Sequence, residues 1–270
     1  MPTRTVTLDK LSFRLVMFVL AAVAVALLML PTVILLLTSF TSTASLKFPP
    51  EGFSLRWYAA LVEARQIQDA AWNSVVVATW TTVISVLLGL AAALAVGRSN
   101  ALWAKLTDAF FMSPLLLPAL AFGFGALIFF NRLGIAQSMA PIVLGHVVVC
   151  VPFVIRNTVA ALSQLNPALI EASLSLGAGE FYTFRRVTLP SIARGVAAGA
   201  FIAFMSSFDN FPVSLFLADV RTQMLPIHLW ELIDNQLDVR TAAAAGLIVI
   251  GTLILMMLAE RFAGITRHMR

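Results

Sequence analysis

Six stretches of this chain each run for about 20 residues with almost no charge, and few folds can accommodate that pattern. They cover 15–37, 73–96, 109–130, 140–162, 196–217 and 241–259. The fourth holds His146, with Arg156 near one end, and the fifth is interrupted by Asp209. A helix needs about 20 mainly apolar residues to cross the hydrocarbon of a bilayer, and these windows supply them. The runs are too long and too irregular in alternation for strands. Only helices cross lipid as single segments, because each pairs its backbone groups internally. Composition points the same way. The chain is 60% hydrophobic and 11% charged, whereas a soluble domain is about half apolar and a quarter charged. The expected architecture is an all-α integral membrane protein with six transmembrane helices in a single domain, 1–270.

Arg4, Lys10 and Arg14 precede the first run. A cleaved leader carries an apolar core of about 7–15 residues. This run continues to Leu37 and reads as an uncleaved first span. Lys and Arg collect on the cytoplasmic side of membrane proteins. With the N-terminus inside, the inner segments hold Arg4, Lys10, Arg14, Arg98, Lys105, Arg156, Arg185, Arg186, Arg194, Arg261, Arg267 and Arg270. Only Lys47, Arg56, Arg65, Arg132, Arg221 and Arg240 are left outside. Both termini are therefore expected in the cytoplasm, and Arg156 and Asn157 are expected to snorkel to the inner interface. The net charge of +5 is accounted for by topology, so no nucleic-acid partner is required. The single cysteine, Cys150, excludes a disulfide framework or a cysteine metal cluster.

Two outer loops are long. Residues 38–72 contain a turn and then an interfacial helix, with Trp57, Tyr58 and Trp72 at headgroup level. Residues 219–240 place Leu225, Leu229, Leu232 and Ile233 on one face of a short amphipathic helix, with Pro226 near its first turn. Small residues at Gly89, Ala92, Ala93 and Gly97 suit close helix contact.

The loop 163–195 between the fourth and fifth spans is polar and carries its own helix signals. Asn166 is a good N-cap, Pro167 a good first helical residue, and Gly177 a left-handed stop after Leu176. A second short helix is expected over 179–187, with Pro190 restarting the chain into the fifth span. Two readings stand on the residues alone: an interfacial loop resting on headgroups, or a compact knob that enters a partner's groove.

The order and spacing of Glu171, Ala172, Ser173, Gly177, Val187, Leu189 and Pro190 resemble a motif of the inner-membrane permeases of binding-protein-dependent ABC importers. That motif is Glu-Ala-Ala, three residues, Gly, nine residues, Ile, one residue, Leu-Pro. Ser173 and Val187 are mild departures from it. The resemblance covers essentially the whole chain and implies a type I ABC importer permease fold in a bacterial inner (plasma) membrane. It further implies that these residues form a coupling helix seated in a separate ATP-hydrolysing subunit. The implied partners are a second homologous permease, two ATPase subunits and an external periplasmic solute-binding protein. ATP and Mg would belong to the ATPase partner, and this chain would bind no cofactor. The segments Phe48–Tyr58 and Ser207–Asn210 look like the spermidine/putrescine permease branch.

No Gly-x-x-x-x-Gly-Lys-Ser/Thr phosphate loop occurs, so ATP hydrolysis by this chain alone is not expected. His146, His228 and His268 are too scattered for a metal or catalytic cluster. Ser206, Ser207, Asp209 and Asn210 are the candidate translocation path. A carboxylate in hydrocarbon is costly and must face water or protein. Asp209 therefore either attracts a cationic solute or bonds a neighbouring helix. His146 reads as a packing histidine with a polar contact to find. The expected function is the permease subunit of an ATP-driven importer of a small solute, with a polyamine first. Phosphonate, ferric iron or an amino-acid derivative are alternatives, as is a self-sufficient secondary transporter. The last would call for inverted repeats or several intramembrane charges, which the chain lacks.

Overall fold

Proline and glycine positions decide where the apolar windows stay straight and where they break. The computed structural model describes residues 3–97, 101–236 and 238–263. Arg98, Arg267, His268 and Arg270 lie outside the described residues. The elements in order are α1 Thr3–Ser39, α2 Arg56–Glu63, α3 Arg65–Val96, α4 Leu102–Met112, a 3-10 turn Ser113–Leu116, α5 Ala119–Arg132 and α6 Met139–Gln164. There follow α7 Pro167–Ser175, α8 Glu180–Thr183, a π turn Phe184–Thr188, α9 Leu189–Phe208, α10 Phe211–Leu217, α11 Leu225–Gln236 and α12 Val239–Ala263. Among the described residues no strand forms, apart from one isolated bridge between Thr41 and Phe53. Five helices are long and apolar enough to cross a membrane, or six if one bent pair counts as a single span.

That bent pair corrects the third expected span. Instead of one straight helix over 109–130, the segment Leu102–Leu116 meets Ala119–Arg132 at 103°. Pro114 and Pro118 flank the corner, and each removes a backbone donor and blocks helix continuation.

The fifth span is also corrected. Its main helix does not start near Val196 or pass through Asp209. A helical run of 29 residues extends from Glu180 to Phe208, and Asp209 is the residue that ends it. Nor does Pro190 restart the chain. The π turn ahead of it carries a wider bond from Leu189 N–H to the Phe184 carbonyl. A proline ring would crowd the carbonyl four residues back in a regular helix, and the wider turn lets the run continue through Pro190.

The contacts divide the chain into two units. One combines the residues up to Ala64 with Leu232–Thr252, the other Arg65–Glu231 with the residues from Leu253 onward. In the first unit, the apolar part of α1 buries none of its spanning window, as a lipid-facing helix does. Its end is tied to the following loop. Ser39 Oγ shares a 2.7 Å hydrogen bond with the Tyr58 hydroxyl, and Trp57 Nε1 donates to the Thr43 carbonyl. The Arg56 guanidinium lies over the Trp57 ring at 4.4 Å.

The second unit is built on α3, α6 and α9. Ala70, Ser74, Val77, Ala78, Thr81, Ser85 and Gly89 recur at helical spacing on the buried face of α3. A row of small residues lets backbones approach closely in lipid. Gly89 lies against Val154, and Gly199 against the Val154 Cα and Asn157. In α3, the Ser74 hydroxyl accepts from Leu225 N–H and Asn73 Nδ2 donates to the Gln223 carbonyl. These bonds anchor α11. Of the expected face Leu225, Leu229, Leu232 and Ile233, only Leu225 is buried; Ile227 and His228 complete the buried side, Leu229 and Leu232 are half-buried and Ile233 is exposed. Before α11, Asp219 and Thr222 close a tight loop. The Thr222 hydroxyl holds the Asp219 carboxyl below the ordinary carboxylate range.

Arg156 does not snorkel freely. Its guanidinium pairs with Asp108 of α4 at 3.4 Å, and its Nε reaches Met112 Sδ. Asn157 turns back to the Phe153 carbonyl.

Candidate functional site: a propped surface helix and a broken span

Two places carry the residues singled out by sequence, and one continuous helix joins them. The first is the α7 region. Asn166 caps α7 by accepting from Ala168 N–H, and Pro167 takes the first turn, where no donor is needed. The C-terminal end closes with two bonds, Gly177 N–H to the Leu174 carbonyl and Ala178 N–H to the Ser173 carbonyl. This is the Schellman pattern, and it requires a left-handed residue, which Gly177 supplies at φ 85°.

Glu171 and Ala172 are exposed on α7, and Ser173 is half-buried. Leu169, Leu176, Phe181 and Tyr182 are exposed around them, Leu176 at 88%. Exposed apolar side chains beside the carboxylates of Glu171 and Glu180 suit a protein groove better than water. Ser173 explains its own departure from alanine, because its hydroxyl shares a 2.9 Å hydrogen bond with Thr183 of α8. Thr183 is buried at 3% exposure. Behind α7 a recess of about 340 Å³ is lined by Leu94, Ile170, Leu174, Glu180, Thr183, Phe184 and Thr188. Helix α7 is thus propped on α8 and not packed flush. Val187 and Leu189 are half-buried in the π turn and the start of α9, and Pro190 is exposed. Thr183 carries no spacing signal in the sequence, and only the structure identifies it.

The second place is the break in the fifth span. Asp209 N–H bonds the Met205 carbonyl, Asn210 N–H the Ser207 carbonyl and Phe211 N–H the Asp209 carbonyl. Asn210 Oδ1 caps α10 by accepting from Val213 N–H at 3.2 Å. Pro212 falls in the first turn of α10, so the interruption lies at Asp209–Asn210 and not at the proline. Asp209 is exposed, and among the described residues it has no ion pair.

Ser207 is corrected. It is 3% exposed, and its hydroxyl meets His146 Nδ1 at 2.9 Å. The other ring nitrogen, Nε2, meets Ser214 Oγ at 3.1 Å. Ser207 therefore faces α6 rather than a path. Ser206 is half-buried and bonds the Cys150 side chain. Cys150 also donates to the Ala203 carbonyl. Asp209 is left as the one exposed charge at the break. His146 makes two polar contacts where one was expected, and Ser214 was not anticipated. A separate groove of about 630 Å³ between α5 and α6 is lined by apolar residues such as Phe122, Phe129 and Val148. It offers nothing to grip a polar solute.

The described residues thus form a helical bundle with a broken span and a propped, partly apolar surface helix. The fold matches that of solved importer permeases. A chain of a bacterial ABC transporter involved in the import of the acidic polysaccharide alginate superimposes with a TM-score of 0.70 at 14% identity, covering 97% of this chain and 99% of that one. Residues 85–265 match the family described as binding-protein-dependent transport system inner membrane component, and the chain belongs to that family. It is 25% identical over 238 residues to the spermidine/putrescine transport system permease protein PotC of Escherichia coli (strain K12), covering 88% of this chain and 90% of that protein. It is 29% identical over 212 residues to the molybdenum transport system permease protein ModB of Mycobacterium tuberculosis, covering 73% of this chain and 80% of that protein.

Proposed function

We propose that this chain is the permease subunit of a bacterial importer for a small organic cation of the polyamine class. It works with a second permease, two ATPase subunits and a periplasmic binding protein, and both its termini are cytoplasmic. The observation that carries the solute class is the C-terminal end of α9, closed by Asp209 inside a broken span. A helix C-terminus presents the negative pole of its dipole, and discontinuous helices in transporters use such ends for cations. A carboxylate at the same point adds to the field. Similarity to PotC over 88% of the chain supports the same class.

The coupling reading rests on α7. Its exposed Glu171, Ala172 and Leu176 enter a cleft in the ATPase. When ATP closes that pair, α7 is displaced, and the Ser173–Thr183 bond passes the displacement to α8. From there the run Glu180–Phe208 acts as one lever, about 43 Å long for its 29 residues. Asp209 sits at its far end, so force entering at α7 moves the cation site.

The test is uptake of radiolabelled spermidine by the complex in liposomes. Hydrogen bonds to charged groups contribute about 1.5–3 kcal/mol, and each 1.4 kcal/mol is about tenfold. Asp209→Asn is therefore expected to raise KM at least roughly tenfold while assembly is unchanged. An unchanged KM in the assembled variant overturns the path assignment. The ModB similarity favours a second reading, an oxyanion solute. Molybdate uptake in place of spermidine uptake would establish it.

A further inference from the structure

We propose that His146 is a positioning residue for the cation site, holding the two halves of the fifth span at the separation that presents Asp209 to the solute. This rests on the path reading of Asp209. A broken helix in lipid has no continuous ladder to fix its joint, so something else must set the offset of its two pieces. On the α9 side, Ser207 is two residues before Asp209 and bonds His146 Nδ1. On the α10 side, Ser214 is the fourth residue of the helix and bonds Nε2 of the same ring. One imidazole on a single well-packed helix, α6, therefore ties both sides of the break. All three side chains are buried, at 1%, 3% and 1% exposure. A neutral imidazole has one donor and one acceptor, and a serine hydroxyl serves in either role. Both bonds are made at once without placing a charge in the bundle.

The surroundings leave α10 little other freedom. Its carbonyl at Pro212 and its Phe216 ring lie against Gly123 of α5, and Val213 and Leu217 lie against Gly145, the neighbour of His146. Gln137 Nε2 donates to the Phe216 carbonyl at 3.0 Å. Helix α10 is thus fixed to α5 and α6, and α9 is the piece that carries the lever motion. His146 is where the moving piece registers against the fixed one. Loss of the ring leaves two buried hydroxyls free to pull the ends to other partners and shifts Asp209 without touching it.

Two measurements on the full complex test this. In spermidine uptake, His146→Ala is expected to raise KM roughly tenfold, with Vmax of the assembled complex within about twofold. His146→Gln, whose amide also offers one donor and one acceptor end, restores KM to within about threefold. Ser214→Ala, which removes only one bond, gives an intermediate KM and covers the case in which His146→Ala fails to assemble. The second measurement does not depend on Asp209. Spin labels at Ile202→Cys and Leu215→Cys, in a Cys150→Ala background, report the α9–α10 distance. The distribution is expected to broaden in His146→Ala and to stay narrow in His146→Gln and Asp209→Asn. An unchanged distribution in assembled His146→Ala, or in Ser214→Ala where the former does not assemble, overturns the positioning role. A broadened distribution with no effect of Asp209→Asn on KM supports the joint and refutes only the path reading.

Discussion

Gly177→Val is expected to cut ATP-driven uptake at least roughly tenfold while the chain still inserts and assembles. Nothing lies within 4 Å of a Cβ built at Gly177, so no clash is involved. The effect comes from backbone conformation. At φ 85° a β-branched residue is strained, and left-handed geometry costs an L-residue about 1–2 kcal/mol. The stop of α7 depends on that conformation, because both closing bonds run across it. Without the stop, the last turn unravels and Ser173 loses its fixed reach to Thr183. The prediction has two internal controls. Gly177→Asn should stay close to wild type, since asparagine tolerates the left-handed region. Gly179→Val should be mild, because Gly179 has an extended backbone at φ −72° and open space around it. Glu171→Lys attacks the same junction by reversing the exposed charge on α7. It should abolish stimulation of the ATPase by loaded binding protein. Wild-type stimulation in both Gly177→Val and Glu171→Lys would sink the coupling assignment.

The chain displays some of these features openly and hides others, for definable reasons. The helix signals at Asn166, Pro167 and Gly177 act within a few residues, so they were readable, and α7 starts and stops where they stand. The long apolar windows were readable because lipid imposes one length. A hydropathy window has no sense of direction, however. It averages over Pro114 and Pro118 and so returned one span where there is a 103° corner. At the fifth span it registered Asp209 as an interruption and did not show that the helix ends there. The burial of Ser207 did leave a trace. Gly199, Ala203 and Ser207 are four apart and all buried, the row on which α9 packs. Read as a packing face, that row sets Ser207 against α6, while Ser206 and Asp209 fall off it by roughly 100° and 200°. The identity of its partner, His146, was beyond reach, because it depends on the register of α6 against α9. Thr183 was hidden for the same reason, since a buried threonine in a four-residue helix carries no periodic signal.

That register is also where a single methyl group should do the most damage. Gly195→Ala, and more strongly Gly195→Leu, is expected to destabilise the α6–α9 pair and reduce the amount of folded, assembled protein. A Cβ at Gly195 would stand 2.4 Å from Ala161 Cβ and 2.8 Å from the Asn157 carbonyl oxygen. Neither neighbour can rotate away, because one is a methyl fixed to its backbone and the other is backbone itself. Helix α9 must move off α6, and overpacking of this kind costs about 1–3 kcal/mol. The cost is not confined to the contact. Gly199 relies on the same approach, four residues on against Val154 and Asn157, and the His146–Ser207 bond lies further along the same interface. A tilt at Gly195 should therefore loosen the joint at Asp209 as well. The clash has two parts, so relief should be partial. Ala161→Gly in the Gly195→Ala background removes the 2.4 Å contact and leaves the carbonyl, and should recover some but not all of the lost melting temperature. Gly125→Ala is the control, since nothing lies within 4 Å of its added carbon. Size-exclusion yield and thermal melting of the detergent-solubilised complex measure all four variants. Equal stability of Gly195→Leu and wild type would mean that α6 and α9 do not meet as closely as their glycines allow, and the lever would lose its bearing.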